Sequence, residues 1–494
     1  MVHANFKLND PSLLISTGWI NDKQVKAVSG RKPFEVQDPA TGEVWATVEN
    51  MDELDTDAAI AAATEAFPSW SQVSARQRAR MILEIDRLVR ENRDDFAKLI
   101  VMETGKALVE ALGEVDYATT YSWLIAGEAE RIHGDTLKAN DNPNVRFFTQ
   151  RVPVGPVGLL CPWNFPLVIA LRKLVSALAA GCTVVIKPSP ETPCTTLALA
   201  ILCQRAGVPP GVVNVVTASN HTTPAVGKKM CEDKRLKKIS FTGSTAVGKL
   251  LMSQAASTLK KLTLELGGNG AWIVFDDADL DKAADALIAN KLRHAGQVCV
   301  CANRVFIQAG IYDAFAKKME ERMAKLKFGH GLDEGVTNGA VTTERGAARA
   351  ITIIDDAVKQ GATLVTGGKR FGTGFLVEPT LLVNTPRTAT VYTEEMFAPI
   401  VSLYKFDNEA EVIGLANDTD MGLTNYVWTE NISRAWRCYE KLESGTVALN
   451  TANASTAEAP FGGIKQSGMG KEGGLGYGVE EFTVVKLAAL TLSS

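Results

Sequence analysis

The stretch VGPVGLLCPWNFPLVIALRKLVSALAAGCTVVIKP (residues 154–188) decides the fold. Two short runs rich in Val, Leu and Ile bracket "LVIALRKLVSALAAG", whose apolar residues fall at helical steps. Strands that read as continuous apolar runs are buried on both faces, as in a parallel sheet covered by helices. The alternation continues through "TTLALAILCQRAG", "VVNVVTA", a further helix, "LKKISFTG", "STAVGKLLMSQAAS" and "LTLELGG". A second alternating block runs from "AWIVFDD" through "RVFIQAG" and "GATLVTGG" to "GTVALNT". Two α/β layers in tandem predict two Rossmann-like, doubly wound domains with a cleft between them. Ahead of both, residues 55–112 place apolar side chains at three- and four-residue steps and predict helix after helix.

The 494 residues allow two to four domains, at roughly 100–200 residues each. Hydrophobic residues make up 46% and charged ones 22%, which suits a globular chain with a large core. The 52 basic and 56 acidic residues are well mixed, so nothing points to nucleic acid or a membrane surface as partner. No apolar run is long enough for a transmembrane helix. The N-terminal residues lack a basic segment followed by an apolar run, and a cytoplasmic location is the expectation. Eight scattered cysteines argue against a disulfide framework. The five histidines show no ligand spacing, and Cys299 with Cys301 supplies only two ligands, so no metal site is predicted.

Several residues stand where chemistry is done. In "FTGSTAVGK" a strand ends, and Gly243, Ser244 and Gly248 open a helix whose N-terminus suits a phosphate; an ordinary strand–helix turn would look the same. Lys187 ends a strand of the opening stretch, where ligands of parallel sheets gather, or it is a plain surface lysine. Asn164, in "CPWNFP", could donate to a developing oxyanion or make an Asx turn. Glu265 lies among leucines in "LTLELGG", where desolvation raises a carboxyl toward the range of a general base; a structural ion pair is the alternative. Cys299, in "HAGQVCVCANR", is a small buried thiol or a nucleophile, and a nucleophile needs the base and donor that Glu265 and Asn164 could supply.

Together and in this order, "PWNFP", "GCTVVIKP", "FTGSTAVG", "LELGG", "GQVC", "EEMFAP", "LNT" and "PFGGIKQSGMGKE" resemble the aldehyde dehydrogenase superfamily, from about Phe34 to the C-terminus. The resemblance implies an α/β aldehyde dehydrogenase-like fold. Residues 1–136 and 156–266 would form an NAD(P)-binding domain and 267–460 a catalytic domain. Residues 137–155 and 461–494 would form a small β oligomerisation element. It implies that Cys299 attacks an aldehyde, that Asn164 and the Cys299 N–H hold the oxyanion, and that Glu265 activates water. Trp163, Lys187, Gly243, Ser244, Gly248, Glu395 and Phe397 would line the path of NAD or NADP. A homodimer or homotetramer is implied.

Within the superfamily the chain looks most like succinate-semialdehyde dehydrogenases, on "NKLRHAGQVCVCANR" and "PLVIALRK". Arg172, Arg293 and Ser455 are then the expected contacts to a substrate carboxylate, which arginine holds through charge-assisted hydrogen bonds. Another aromatic, aliphatic or biosynthetic aldehyde is the alternative, and a catalytically silent member of the fold a further one. The chain departs from the family where Pro190 replaces a carboxylate three positions after Lys187, with Glu191 one step along, which leaves the choice of NAD or NADP open. Cys301 is either a space-filling thiol or the partner of Cys299 in a strained, reducible disulfide.

Overall fold

The computed structural model describes residues 3–493. The opening stretch forms strand Val157–Leu160, helix Pro166–Ala180 and strand Val184–Lys187. The strands pair in parallel, with Leu159 opposite Ile186. Pro166 starts the helix, where a missing N–H costs nothing, and Gly181 ends it at φ 92°. Every residue of that helix is buried, because it packs against the sheet and against helices Ala75–Glu91, Leu108–Ala129 and Pro193–Arg205.

Five parallel strands form the centre of the first sheet, in the order Val213–Val215, Val184–Lys187, Val157–Leu160, Lys238–Thr242 and Lys261–Glu265. The order reverses between Val157–Leu160 and Lys238–Thr242. Ligands of open α/β sheets bind outside the carboxyl ends of the strands at such a switch point. Short antiparallel strands close the edges, Gly18–Ile20 with Lys23–Val25 on one side and Gly468–Met469 on the other.

A second sheet holds six parallel strands, Thr380–Val383, Ile400–Phe406, Ala302–Gln308, Gly270–Val274, Thr424–Trp428 and Thr446–Leu449, with Thr363–Thr366 antiparallel at one edge. Only four residues separate Glu265, at the carboxyl end of the first sheet, from Gly270, at the amino end of the second. The two edges therefore face each other across a cleft. Gly268 sits in the crossing, where a Cβ would lie 2.5 Å from the Cys299 carbonyl oxygen.

Strands Thr136–Lys138, Val145–Pro153 and Thr483–Thr491 make a separate three-stranded antiparallel sheet. Among the described residues no helix is long and apolar enough to cross a membrane.

Candidate active site

Cys299 stands on the loop between helix Leu280–Lys291 and strand Ala302–Gln308, at the amino edge of the second sheet. The loop begins with a left-handed turn: His294 at φ 49°, Ala295 at φ 50° and Gly296 at φ 75°. Left-handed non-glycine residues persist only where surroundings impose them, and here four contacts do so. The Glu110 carboxylate accepts the His294 N–H at 2.7 Å. Gln297 donates from Nε2 to the His294 carbonyl at 3.0 Å and accepts the Thr342 N–H at 2.9 Å. Asn164 Nδ2 donates to the Gln297 carbonyl at 2.9 Å. Asn164 therefore touches the Cys299 loop directly, and its second amide hydrogen is still available.

Burial pushes the Cys299 thiol up to about 12, with the Glu395 and Glu265 carboxylates adding to the shift. Both thiols are free. Cys301 is buried, and its Sγ donates to the Asn290 carbonyl at 3.1 Å.

Glu265 is buried, and neither carboxylate oxygen has a hydrogen-bond partner. Burial, and then the charge of Glu472, raises its pKa well above the usual range. Glu472 pairs with Arg172 at 2.6 Å and with Lys173. Against the penalty of burial, Lys173 and Arg172 hold its carboxyl below the usual range. Glu472 thus keeps the charge and Glu265 keeps the proton. The motif PFGGIKQSGMGKE ends on Glu472, but nothing in the sequence assigned that residue a role, because its partners lie far away in the chain.

Two cavities meet at Cys299 and Thr242. One, of about 280 Å³, is lined by Tyr117, Phe165, Arg172, Arg293 and Ser455 among others. Arg172 is already committed to Glu472 and lies 4.9 Å from the Phe461 ring. Arg293 is exposed, lies 5.6 Å from the Phe165 ring, and makes no ion pair among the described residues. Ser455 Oγ accepts from the Tyr117 hydroxyl at 2.9 Å. Tyr117 is a lining residue that sequence reasoning missed, since it lies in the N-terminal helical region.

The other cavity, of about 230 Å³, is lined by Trp163, Asn164, Gly243, Ser244, Glu395 and Phe397. The Phe397 and Trp163 rings meet edge to face at 5.5 Å. Glu395 accepts the Gly268 N–H at 3.1 Å, and burial pushes its carboxyl up to about 7. Trp163 also borders a larger groove of about 770 Å³, together with Glu191, Asn220 and His221. Lys187 is buried near Glu191, and burial lowers it to about 8. Gly248 lines neither cavity: a Cβ there would strike Leu266 at 2.5 Å, so its smallness serves helix–sheet packing. The groove meets the smaller cavity at Trp163, and that cavity reaches the Cys299 thiol and Asn164, which fits an extended coenzyme brought to a small electrophile; Glu265 lines neither of them.

The sequence matches the model of the aldehyde dehydrogenase family over residues 25–488. It is 44% identical to a glutarate-semialdehyde dehydrogenase of Pseudomonas putida, over 98% of this chain and all of the relative. It is 45% identical to an NADP(+) succinate-semialdehyde dehydrogenase of Saccharomyces cerevisiae, over 97% of this chain and 96% of the relative. The crystal structure of a succinate-semialdehyde dehydrogenase from Burkholderia pseudomallei superposes with a TM-score of 0.96 at 44% identity, covering 99% of this chain and 100% of that one. With its two facing sheets and the thiol between them, the chain belongs to the aldehyde dehydrogenase family.

Proposed function

We propose that the protein oxidises a short aldehyde carrying a distal carboxylate, with succinate semialdehyde as the first candidate, to the corresponding acid with NAD+ or NADP+. The supporting observation is the junction of the two cavities at Cys299, one of them holding Arg293, which makes no ion pair among the described residues. Relatives that act on succinate or glutarate semialdehyde point the same way.

The dinucleotide fits the groove and the smaller cavity. Trp163 is common to both, Gly243 and Ser244 open the helix at the switch point, and Glu395 and Phe397 flank the end nearest Cys299. When bound, it supplies the hydride acceptor. Every other task falls to the chain. Starting from the form in which Glu265 has given up its proton to solvent, the Cys299 Sγ adds to the carbonyl carbon while its proton passes to the Glu265 carboxylate. The negative oxygen so formed is held by Asn164 Nδ2 and the Cys299 N–H. Loss of hydride leaves a thioester on Cys299. Glu265 then releases that proton to solvent and takes another from water as the oxygen adds to the thioester carbon. The acid leaves as the C–S bond breaks, and the sulfur recovers its proton from Glu265. Arg293 holds the far carboxylate, and Ser455 lends a hydroxyl beside it. Arg172 acts at one remove, by keeping Glu472 charged next to Glu265.

The exposed strand Thr483–Thr491 offers an unpaired edge, and pairing with a further copy would satisfy it in a homodimer or homotetramer. The cytosol is the proposed location. The test is an aldehyde panel run with NAD+ and NADP+ in parallel, on the parent and on Cys299→Ala. The parent should reduce coenzyme and the variant should not. An inactive parent, or an active variant, refutes the proposal.

A further inference from the structure

Lys106 and Glu114 form an ion pair whose side chains are 1% and 0% exposed. Such a pair needs an explanation, because well-packed apolar residues in its place are often as stable or more so. Its remaining bonds supply one. Lys106 Nζ donates to the carbonyl oxygen of Asn164 at 2.7 Å and lies 3.8 Å from the centre of the Phe165 ring. Glu114 Oε1 accepts the Leu167 and Val168 N–H groups at 3.0 and 3.3 Å. These are orphan donors in the first turn of helix Pro166–Ala180, which no side chain of its own caps. One buried pair therefore grips both ends of the segment 164–168. Beyond it, Asn164 Nδ2 reaches the Gln297 carbonyl, two residues before Cys299.

We infer that Lys106 and Glu114 are positioning residues for the reaction: they fix where the Asn164 amide points, and so set the oxyanion geometry at Cys299. The inference rests on Asn164 being the oxyanion donor. Geometry of this kind matters steeply, since a displacement of about 1 Å can cost about a hundredfold in rate, as can loss of one oxyanion donor. Neither Lys106 nor Glu114 lines either cavity that meets at Cys299.

The test uses the intact protein and the burst of reduced nicotinamide in the first turnover, which reports acylation and hydride transfer. Lys106→Met/Glu114→Leu replaces the pair by apolar side chains of similar volume. The expected result is a melting temperature within a few degrees of the parent, coenzyme dissociation constants within about twofold, and a burst slowed by about a hundredfold. Asn164→Ala should slow the burst to a similar degree, and adding it to the double variant should cost little more, because the three residues act as one unit. A double variant with the parent's burst, beside a slow Asn164→Ala, overturns the clamp and leaves Asn164 in its role. An Asn164→Ala with the parent's burst removes the oxyanion assignment and the clamp with it. Should the double variant not fold, Glu114→Gln decides: it keeps an acceptor for the two N–H groups but loosens Lys106. A burst slowed about tenfold supports the clamp, and an unchanged burst overturns it.

Discussion

At Cys299 the surroundings favour the neutral thiol, since burial and two nearby carboxylates push it up to about 12. In the proposed reaction the nucleophile is therefore made at the moment of attack by transfer of its proton, not held ready as a thiolate. In the protein without coenzyme, alkylation of Cys299 by iodoacetamide should quicken about tenfold per pH unit between about pH 7 and 9, because only the thiolate reacts. A rate that is flat over that range would show a thiolate already formed. Glu265 carries the complementary prediction. Its carboxyl is raised, so the basic form is gained only above the usual carboxylate range, and the deacylation rate should climb with pH there. Glu265→Gln should slow deacylation by about a hundredfold or more and flatten that profile. An unchanged steady-state rate would remove Glu265 from the role of base. At this scale the sequence offered residue types and left their roles open: a carboxylate among leucines and a thiol in a small-residue turn each admit a structural reading, and only the resemblance to a family ordered them. The sequence was silent about the role of Glu472, although that residue closes the motif PFGGIKQSGMGKE: its charge favours the proton staying on Glu265.

Among the elements, the left-handed turn before Cys299 is the one on which the site depends most. Gly296 lies at φ 75°, and a Cβ would come within 2.1 Å of the Ala398 carbonyl oxygen. Gly296→Ala should therefore destabilise the protein by about 1–3 kcal/mol and slow the burst, both measurable by thermal melting and stopped flow. Full stability with full activity would show that the turn tolerates a side chain. The parallel strands and their helices were legible because buried Val/Ile runs and helical spacing repeat over long segments. The short strands Gly18–Ile20, Lys23–Val25, Phe34–Gln37 and Val44–Val48 were not, since three to five residues carry too little periodicity. Nor did the sequence disclose the turn at His294 and Ala295, for neither residue requires a positive φ; Glu110, Asn164 and Thr342 hold it from elsewhere in the chain, the last two through Gln297.

For the molecule as a whole, the arrangement that matters is the facing of two sheet edges. The carboxyl edge of the first sheet brings Asn164, Gly243 and Glu265, and the amino edge of the second brings Cys299. The sequence predicted two such domains and a cleft; the direct passage from Glu265 to Gly270 explains why the cleft holds the site. On the outside, Val485, Leu487 and Leu490 are 58%, 62% and 47% exposed on the last strand. If a second copy covers them, Leu487→Asp/Leu490→Asp should lower the mass measured by light scattering; an unchanged mass would place the interface elsewhere. Substrate choice also belongs to this scale, because Arg293 and Cys299 come from one loop while Phe165, Tyr117 and Ser455 come from three other parts of the chain. The most direct measurement of the central claim is kcat/KM for succinate semialdehyde against butanal, in the parent and in Arg293→Ala. The account predicts that the parent prefers succinate semialdehyde by more than about tenfold and that the variant loses most of that preference, as the loss of a charge-assisted contact requires. A parent that prefers butanal by more than about tenfold would contradict it.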